Sequence, residues 1–246
     1  DTFFKTKSTP GVYFEAGAMN GIELSNTKPF QEMGWKGVLV EAMPDKYEAL
    51  RKNRPRDACF QCILSDTSGE TKTLNVDEKL PNVSSVAQNN AAHAAHWHKN
   101  SKTIDVRTKT LADILRFERT EYIDFFSLDI EGYELFALRG MDWNVRVGVW
   151  CIEMLGDKCH AVRSLLQAHG YRYHSNIHFN EIWIADETFK KQGRSTIRYV
   201  GPGTDFVTSA IRTTVLTFLC VLVIVALVKL MGSIDVFKKG TRRFAF

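Results

Sequence analysis

The chain has 246 residues, ordinary globular shares of apolar (44%) and charged (24%) residues, and a formal net charge of +4. That length holds one sizeable domain plus an appendage, and the composition excludes global disorder. No long basic stretch interleaves with aromatics, so no nucleic-acid partner is indicated.

In chain order, Val12–Glu15 reads as a short apolar strand followed by the small-residue turn Ala16–Gly21. Ser25–Thr27 is polar and suits the cap of a short helix running to Met33. Gly37–Glu41 is a second strand with an acidic end, and Pro44 opens a helix through Arg51, as proline suits a first turn. Ala58–Leu64 is a third strand, so the opening alternates strands and helices and calls for a parallel sheet. An insert at about 67–100 breaks the rhythm, with a hairpin expected at 70–76 and a polar, alanine- and histidine-rich remainder. Alternation resumes with a strand at Ile104–Arg107 and a helix at Thr110–Phe117.

Tyr122–Gly140 is the stretch around which the rest is organised. Ile123, Phe125, Phe126, Leu128 and Ile130 make the near-continuous apolar run of a strand covered on both faces. Asp129, Glu131 and Gly132 follow where it ends, and a helix is expected from Glu131 to Leu138. A strand at Val147–Met154, an amphipathic helix at Asp157–His169 and two closing strands, Tyr171–Ile177 and Glu181–Ala185, complete the domain. The expected fold is α/β: a Rossmann-like methyltransferase sheet, mostly parallel, closed by an antiparallel hairpin.

Thr213–Val228 carries no charge and is bracketed by Arg212 and Lys229. As a helix it spans about 24 Å against a hydrocarbon core of about 30 Å, and Leu230, Met231 and Ile234 extend it. A single-pass transmembrane helix is expected at 213–234, after a domain at 1–205 and a linker at 206–212. A short basic tail, 235–246, holds Lys238, Lys239, Arg242 and Arg243; the positive-inside tendency puts it in the cytosol and the domain in the lumen or outside. Tail anchoring with a cytosolic domain is the alternative. The sequon Asn82-Val83-Ser84 agrees with the lumenal side.

Glycines and alanine at positions 17, 18 and 21 suit a turn that brings backbone close to a ligand, and Glu15 before it suits a cationic one. A plain strand–turn–helix explains the same residues. Two glycines rather than three disfavour a dinucleotide. Glu41, at the next strand end, suits two ribose hydroxyls. Asp66 suits an adenine amino group, or equally a turn in Ser65–Gly69. Asp129 is the best-placed general base, with Glu131 next and Glu153 as a neighbour across the sheet; the dipole of the following helix also explains Glu131 and Glu134. His93, His96 and His98 lack acidic or cysteine neighbours in the insert, and no metal site is expected. Cys59, Cys62, Cys151 and Cys159 form an even set open to disulfide pairing in a lumenal domain.

Three stretches carry a resemblance: Phe14-Glu-Ala-Gly-Ala-x-x-Gly21, Gly34-Trp-x-Gly-Val-Leu-Val-Glu41 and Phe126-Ser-Leu-Asp-Ile-Glu-Gly-Tyr-Glu-Leu-x-x-Leu-x-Gly140. Together they resemble the FkbM methyltransferases over about residues 11–186. The resemblance implies S-adenosylmethionine as cofactor and a small-molecule or glycan hydroxyl as acceptor. Glu15, Gly17, Ala18, Asn20 and Gly21 would hold its methionine part and Glu41 its ribose; Asn20 stands where the family usually has Asp. Glu-Ala-Gly-Ala, Ser25–Thr27 and Cys62-x-Leu-Ser65 look most like the animal Star-like branch. That branch implies an alternative: a non-catalytic secretory-pathway factor, in the endoplasmic reticulum, Golgi or plasma membrane, whose client protein is an EGF-receptor ligand.

Overall fold

Residues 3–4, 7, 9–77, 84–86, 101–154 and 158–186 are described by the structure, a computed structural model, and all belong to the unit Asp1–Tyr199. Residues 206–246, with the expected linker, span and tail, lie outside the described residues, as do Asn82, His93, His96 and His98. Among the described residues no helix is long and apolar enough to cross a membrane.

The elements run β1 (Val12–Ala16), α1 (Lys28–Glu32), β2 (Lys36–Glu41), α2 (Pro44–Asn53), β3 (Ala58–Gln61) and β4 (Ile63–Leu64). Then come β5 (Thr71–Asp77), β6 (Ser84–Val86), β7 (Ser101–Lys109), α3 (Leu111–Phe117), β8 (Tyr122–Leu128) and α4 (Glu134–Arg139). The last are β9 (Arg146–Glu153), α5 (Cys159–Ala168), β10 (Tyr171–Ile177) and β11 (Asn180–Ala185).

The main sheet has seven strands in the order β10-β11-β9-β8-β1-β2-β3. Strands β3, β2, β1, β8 and β9 are parallel, and β11 is antiparallel to both β9 and β10. This is the Rossmann-like sheet with a closing antiparallel hairpin that the sequence predicts. Its order reverses between β1 and β8, and a switch point of that kind opens a crevice beyond the carboxyl ends of the strands.

The apolar runs are continuous because both faces are buried. Phe14, Val38, Phe126 and Trp150 point to one face and pack with Leu111, Leu115, Leu138 and Leu166 of the helices. Tyr13, Leu39, Phe125 and Val149 point to the other, with Phe4, Phe30 and Trp35. On the first face Phe14, Phe126 and Trp150 stack in register across β1, β8 and β9, with ring centroids 4.3 and 4.4 Å apart. Each such pair adds about 0.5–1.5 kcal/mol beyond area burial.

Three elements differ from expectation. The third strand splits at Cys62: Ala58–Gln61 stays beside β2, whereas Ile63–Leu64 crosses to pair with β7 in a second sheet, β4-β7-β5-β6. The expected hairpin at 70–76 is instead one continuous strand, β5, pairing antiparallel with β7 from Thr71↔Arg107 to Asp77↔Ser101. β5 also pairs antiparallel with β6, from Leu74↔Val86 to Val76↔Ser84, so it lies between β6 and β7, and the inner face of this sheet (Leu74, Val76, Val106) packs on Met43 and Tyr133. Helix α4 begins at Glu134, three residues later than expected, because Glu131 and Gly132 have φ of 55° and 85°. Those values belong to a left-handed turn, which a right-handed helix does not accommodate.

Candidate active site

Side chains alternate between sheet faces along a strand. In the observed register Ala16 lies beside Val40 and Leu128, and Leu128 beside Ile152. Glu41, Asp129 and Glu153 therefore end or follow three strands at one level, with the turn after β1 between them. Glu15 lies two residues below that level, beside Leu39 and Ser127.

The turn is tightly built. Gly17 has φ 79°, and a Cβ there would collide with the Asp129 carbonyl oxygen. Only glycine permits both the conformation and the close approach. The amides of Gly17 and Ala18 both donate to the Val40 carbonyl (3.0 Å each), and the Met19 amide donates to Glu41 Oε2 (2.7 Å). Glu41 Oε1 accepts from the Met43 amide (2.8 Å). A carboxylate oxygen accepts two hydrogen bonds, so acceptor capacity remains on Glu41. Burial raises its pKa, and the backbone donors work against that rise. Asn20 Oδ1 accepts from the Ile22 and Glu23 amides (3.0 and 2.9 Å), an Asx turn that shapes the end of the loop.

Glu15 is buried, and its carboxylate is engaged by the loop itself. Oε2 accepts from Ser25 Oγ (2.7 Å) and Thr27 Oγ1 (2.6 Å), and Oε1 accepts from the Asn26 amide (2.7 Å). The pKa of Glu15 is raised by burial and held back by these donors. Asn26 Nδ2 also donates to Ser127 Oγ (3.0 Å), tying the loop to β8.

Beyond β8 and β9 lies an acidic group. Glu134 Oε1 accepts from the amides of Ile130 (3.0 Å) and Gly132 (3.1 Å), so this buried carboxylate caps the Asp129–Gly132 turn from within α4. Burial pushes it up to about 7. Glu131 also reaches about 7, through burial and then the charge of Asp129. Glu153 is pushed up to about 9 by burial first, then by Asp129, Glu131 and Glu134. It shares a side-chain hydrogen bond with Asp129 that raises Glu153 and lowers Asp129. The proton therefore sits on Glu153, which donates to an ionised Asp129. The net shift at Asp129 is still upward, because burial outweighs that bond. Glu153 Oε2 is itself buried.

Glu15, Gly17, Ala18, Asn20, Gly21, Glu41, Asp129, Glu131 and Glu153 thus gather around the ends of β1, β2, β8 and β9. Asp66 does not join them: it is exposed in the turn after β4 and its carboxylate accepts from Ser65 Oγ (3.2 Å). Sequence reasoning passed over Arg54, which is fully buried just after α2. Nothing in the charged run Arg51–Arg54 marks that one arginine as internal. Cys59, Cys62, Cys151 and Cys159 are free thiols, not disulfides; burial pushes Cys62 and Cys151 up to about 12. Among the described residues no group of His, Cys, Asp and Glu is arranged to hold a metal ion.

A family model, the methyltransferase FkbM domain, matches residues 15–173. No curated protein matches the chain. A ribosomal protein L11 methylase from Lactobacillus delbrueckii subsp. bulgaricus is similar at 8% identity over 75% of this chain and 74% of that one, with TM-score 0.39. A TehB-like SAM-dependent methyltransferase from Corynebacterium glutamicum has 10% identity over 72% and 78%, with TM-score 0.36. A human methyltransferase 10 domain containing protein has 13% identity over 74% of each chain, with TM-score 0.37.

Proposed function

The chain belongs to the FkbM methyltransferase family, and from that premise we propose that it uses S-adenosylmethionine to methylate a hydroxyl of a small molecule or glycan. The observation that carries this reading is the Asp129–Glu153 pair beside the Gly17 turn, at the switch point of the sheet. There the half-buried Asp129 carboxylate shares a hydrogen bond with a carboxyl, Glu153, that is pushed up to about 9.

The residues present fit the cofactor. Gly17 seats the turn against the Asp129 carbonyl and Gly21 seats it on Arg54 and Leu50, and with Ala18 they keep bulky side chains off those positions, as close approach by the methionine part requires. Glu41 retains acceptor capacity for ribose hydroxyls, and the excess of carboxylates favours a cationic ligand. Bound there, S-adenosylmethionine supplies an electrophilic methyl on a sulfonium. The chain supplies positioning and proton removal. Asp129, raised by burial, takes the proton of the acceptor hydroxyl. Glu153 holds Asp129 in orientation through their shared bond, and Glu131 stands next to the pair as a second acid–base group. Asn20 shapes the loop end, and Asp66 is assigned to the adenine amino group only on its place in the sequence after the third strand.

We also propose that residues 213–234 anchor the domain in a secretory-pathway or plasma membrane, with the large domain lumenal or extracellular. The charge-free stretch and the basic tail support this reading. Carbonate extraction that leaves the protein in the membrane pellet, and glycosidase-sensitive sugar on Asn82, are the expected results. Release by carbonate counts against the anchor.

Calorimetry of the full chain with S-adenosylmethionine tests the activity. Micromolar binding, abolished in Glu41→Ala, is expected. No binding at millimolar cofactor overturns the enzyme reading and leaves the non-catalytic Star-like factor, whose secretory client, an EGF-receptor ligand precursor, should then co-purify.

A further inference from the structure

Beneath the cofactor turn lies a second, wholly internal constellation. Arg54 is fully buried, and every part of its guanidinium is used. Nε donates to Asp57 Oδ2 (2.8 Å), and Nη2 donates to Tyr13 Oη (2.9 Å) and Thr27 Oγ1 (3.0 Å). Nη1 donates to the Gly21 carbonyl (2.9 Å) and Ser25 Oγ (3.3 Å). Tyr13 Oη donates to Asp57 Oδ2 (2.7 Å), and Asp57 Oδ1 accepts from the Gly37 amide (3.1 Å).

The two hydroxyls at 25 and 27 give this group its direction. Each accepts from Arg54 and donates to Glu15 Oε2, so a buried cation is joined to a buried anion through two hydroxyls on the loop. The arrangement holds Gly21, Ser25 and Thr27 in one place at once. A Cβ at Gly21 would meet Arg54 Cγ and Leu50 Cδ1, each at 2.6 Å, so the loop end is also seated directly on this side chain. A planar guanidinium fork can reach a backbone carbonyl and two hydroxyls together, which a lysine ammonium cannot.

We propose that Arg54 and Glu15 act as positioning residues. They clamp the Gly17–Thr27 loop, through Ser25 and Thr27, in the shape that receives S-adenosylmethionine, and Glu15 does not itself contact the ligand. The inference rests on the cofactor reading above. It reassigns Glu15, which the family resemblance makes a direct ligand: its Oε2 is filled by two loop hydroxyls and its Oε1 is engaged by the Asn26 amide.

Ser25→Ala separates the two roles, because it frees a lone pair on Glu15 while breaking one of the two bridges to Arg54. Full-length Ser25→Ala, Ser25→Thr and Arg54→Lys are compared with the unaltered chain. The readouts are calorimetric Kd for S-adenosylmethionine, melting temperature, and amide hydrogen exchange across residues 17–27. Ser25→Ala, which also takes the hydroxyl acceptor from the Thr27 and Lys28 amides (3.3 and 3.1 Å), is expected to weaken cofactor binding about tenfold. Faster exchange should be confined to the loop, and Ser25→Thr should restore both. Arg54→Lys keeps the charge and is expected to weaken binding further, by about a hundredfold, where its melting curve shows it folded. Binding by Ser25→Ala within twofold of the unaltered chain overturns the clamp while leaving the cofactor reading intact. A general rise in exchange with a lowered melting temperature, not restored by Ser25→Thr, also overturns it. No binding by the unaltered chain overturns both.

Discussion

Asp129 and Glu153, just beyond β8 and at the end of β9, share one hydrogen bond whose proton resides on Glu153. That location of the proton has a measurable consequence for stability. The carboxyl of Glu153 titrates near 4.5 when free and near 9 in the fold, so the folded chain holds a proton that the unfolded chain releases. The stabilisation is fully present below about 4.5 and is gone above about 9, with a slope of up to about 1.4 kcal/mol per pH unit. Glu131 and Glu134, raised to about 7, act in the same direction and are finished near neutrality. Urea unfolding between pH 7 and 9 should show falling stability in the unaltered chain. Glu153→Gln, which mimics the protonated form, should fall less. Equal slopes would place the proton elsewhere.

Gly17→Ala should damage the site at its tightest point. An alanine at φ 79° costs about 1–2 kcal/mol in backbone strain alone, and its Cβ must also displace the Asp129 carbonyl. A loss of at least about 2 kcal/mol is expected, lowering the melting temperature by about 4–8 °C for a domain of this size. Cofactor binding should disappear in the same variant. An unchanged melting temperature would show that the turn and the Asp129 backbone are less closely fitted than described.

Tyr13→Phe tests the internal polar group without exposing a charge. The hydroxyl accepts from Arg54 and donates to Asp57, while Arg54 and Asp57 also bind each other directly. Removing it leaves that ion pair in place but takes one partner from each. The expected cost is about 1–3 kcal/mol by chemical denaturation. A neutral result would mean that Arg54 is held by Asp57 and the loop without help from β1.

The strands were legible wherever burial on two faces wrote itself as an apolar run, as in Phe125–Leu128 and Val38–Val40, and the acidic strand ends followed from the same reading. What escaped was set by long-range pairing or by backbone conformation. Cys62 reads as the middle of one strand, yet its amide bonds the Glu41 carbonyl and the chain then leaves for another sheet. Glu131 reads as a helix residue by charge, while its positive φ arises from the Glu134 cap on the turn. Arg54 sits among exposed-looking basic residues, and only the folded position of β1 and the loop reveals why it is buried. Glu15 was recognisable as important, but its partners at Ser25, Asn26 and Thr27 depend on a loop path that no periodicity encodes.

Glu134 links the shape of the catalytic turn to its titration, and two substitutions separate those contributions. Its Oε1 receives both the Ile130 and Gly132 amides, and its charge is one of the three that raise Glu153. Glu134→Ala strands the two amides and should cost about 1–3 kcal/mol, with loss of the ordered turn. Glu134→Gln keeps a carbonyl oxygen for both amides, so its stability at neutral pH should stay close to that of the unaltered chain. It nevertheless removes a negative charge, and Glu153 should then titrate below about 9. Carbon-detected NMR of the glutamate side-chain carboxyls, followed from pH 5 to 10, reads this directly. A Glu153 midpoint that stays near 9 in Glu134→Gln would mean that burial and Asp129 alone hold the proton, and that α4 contributes only geometry.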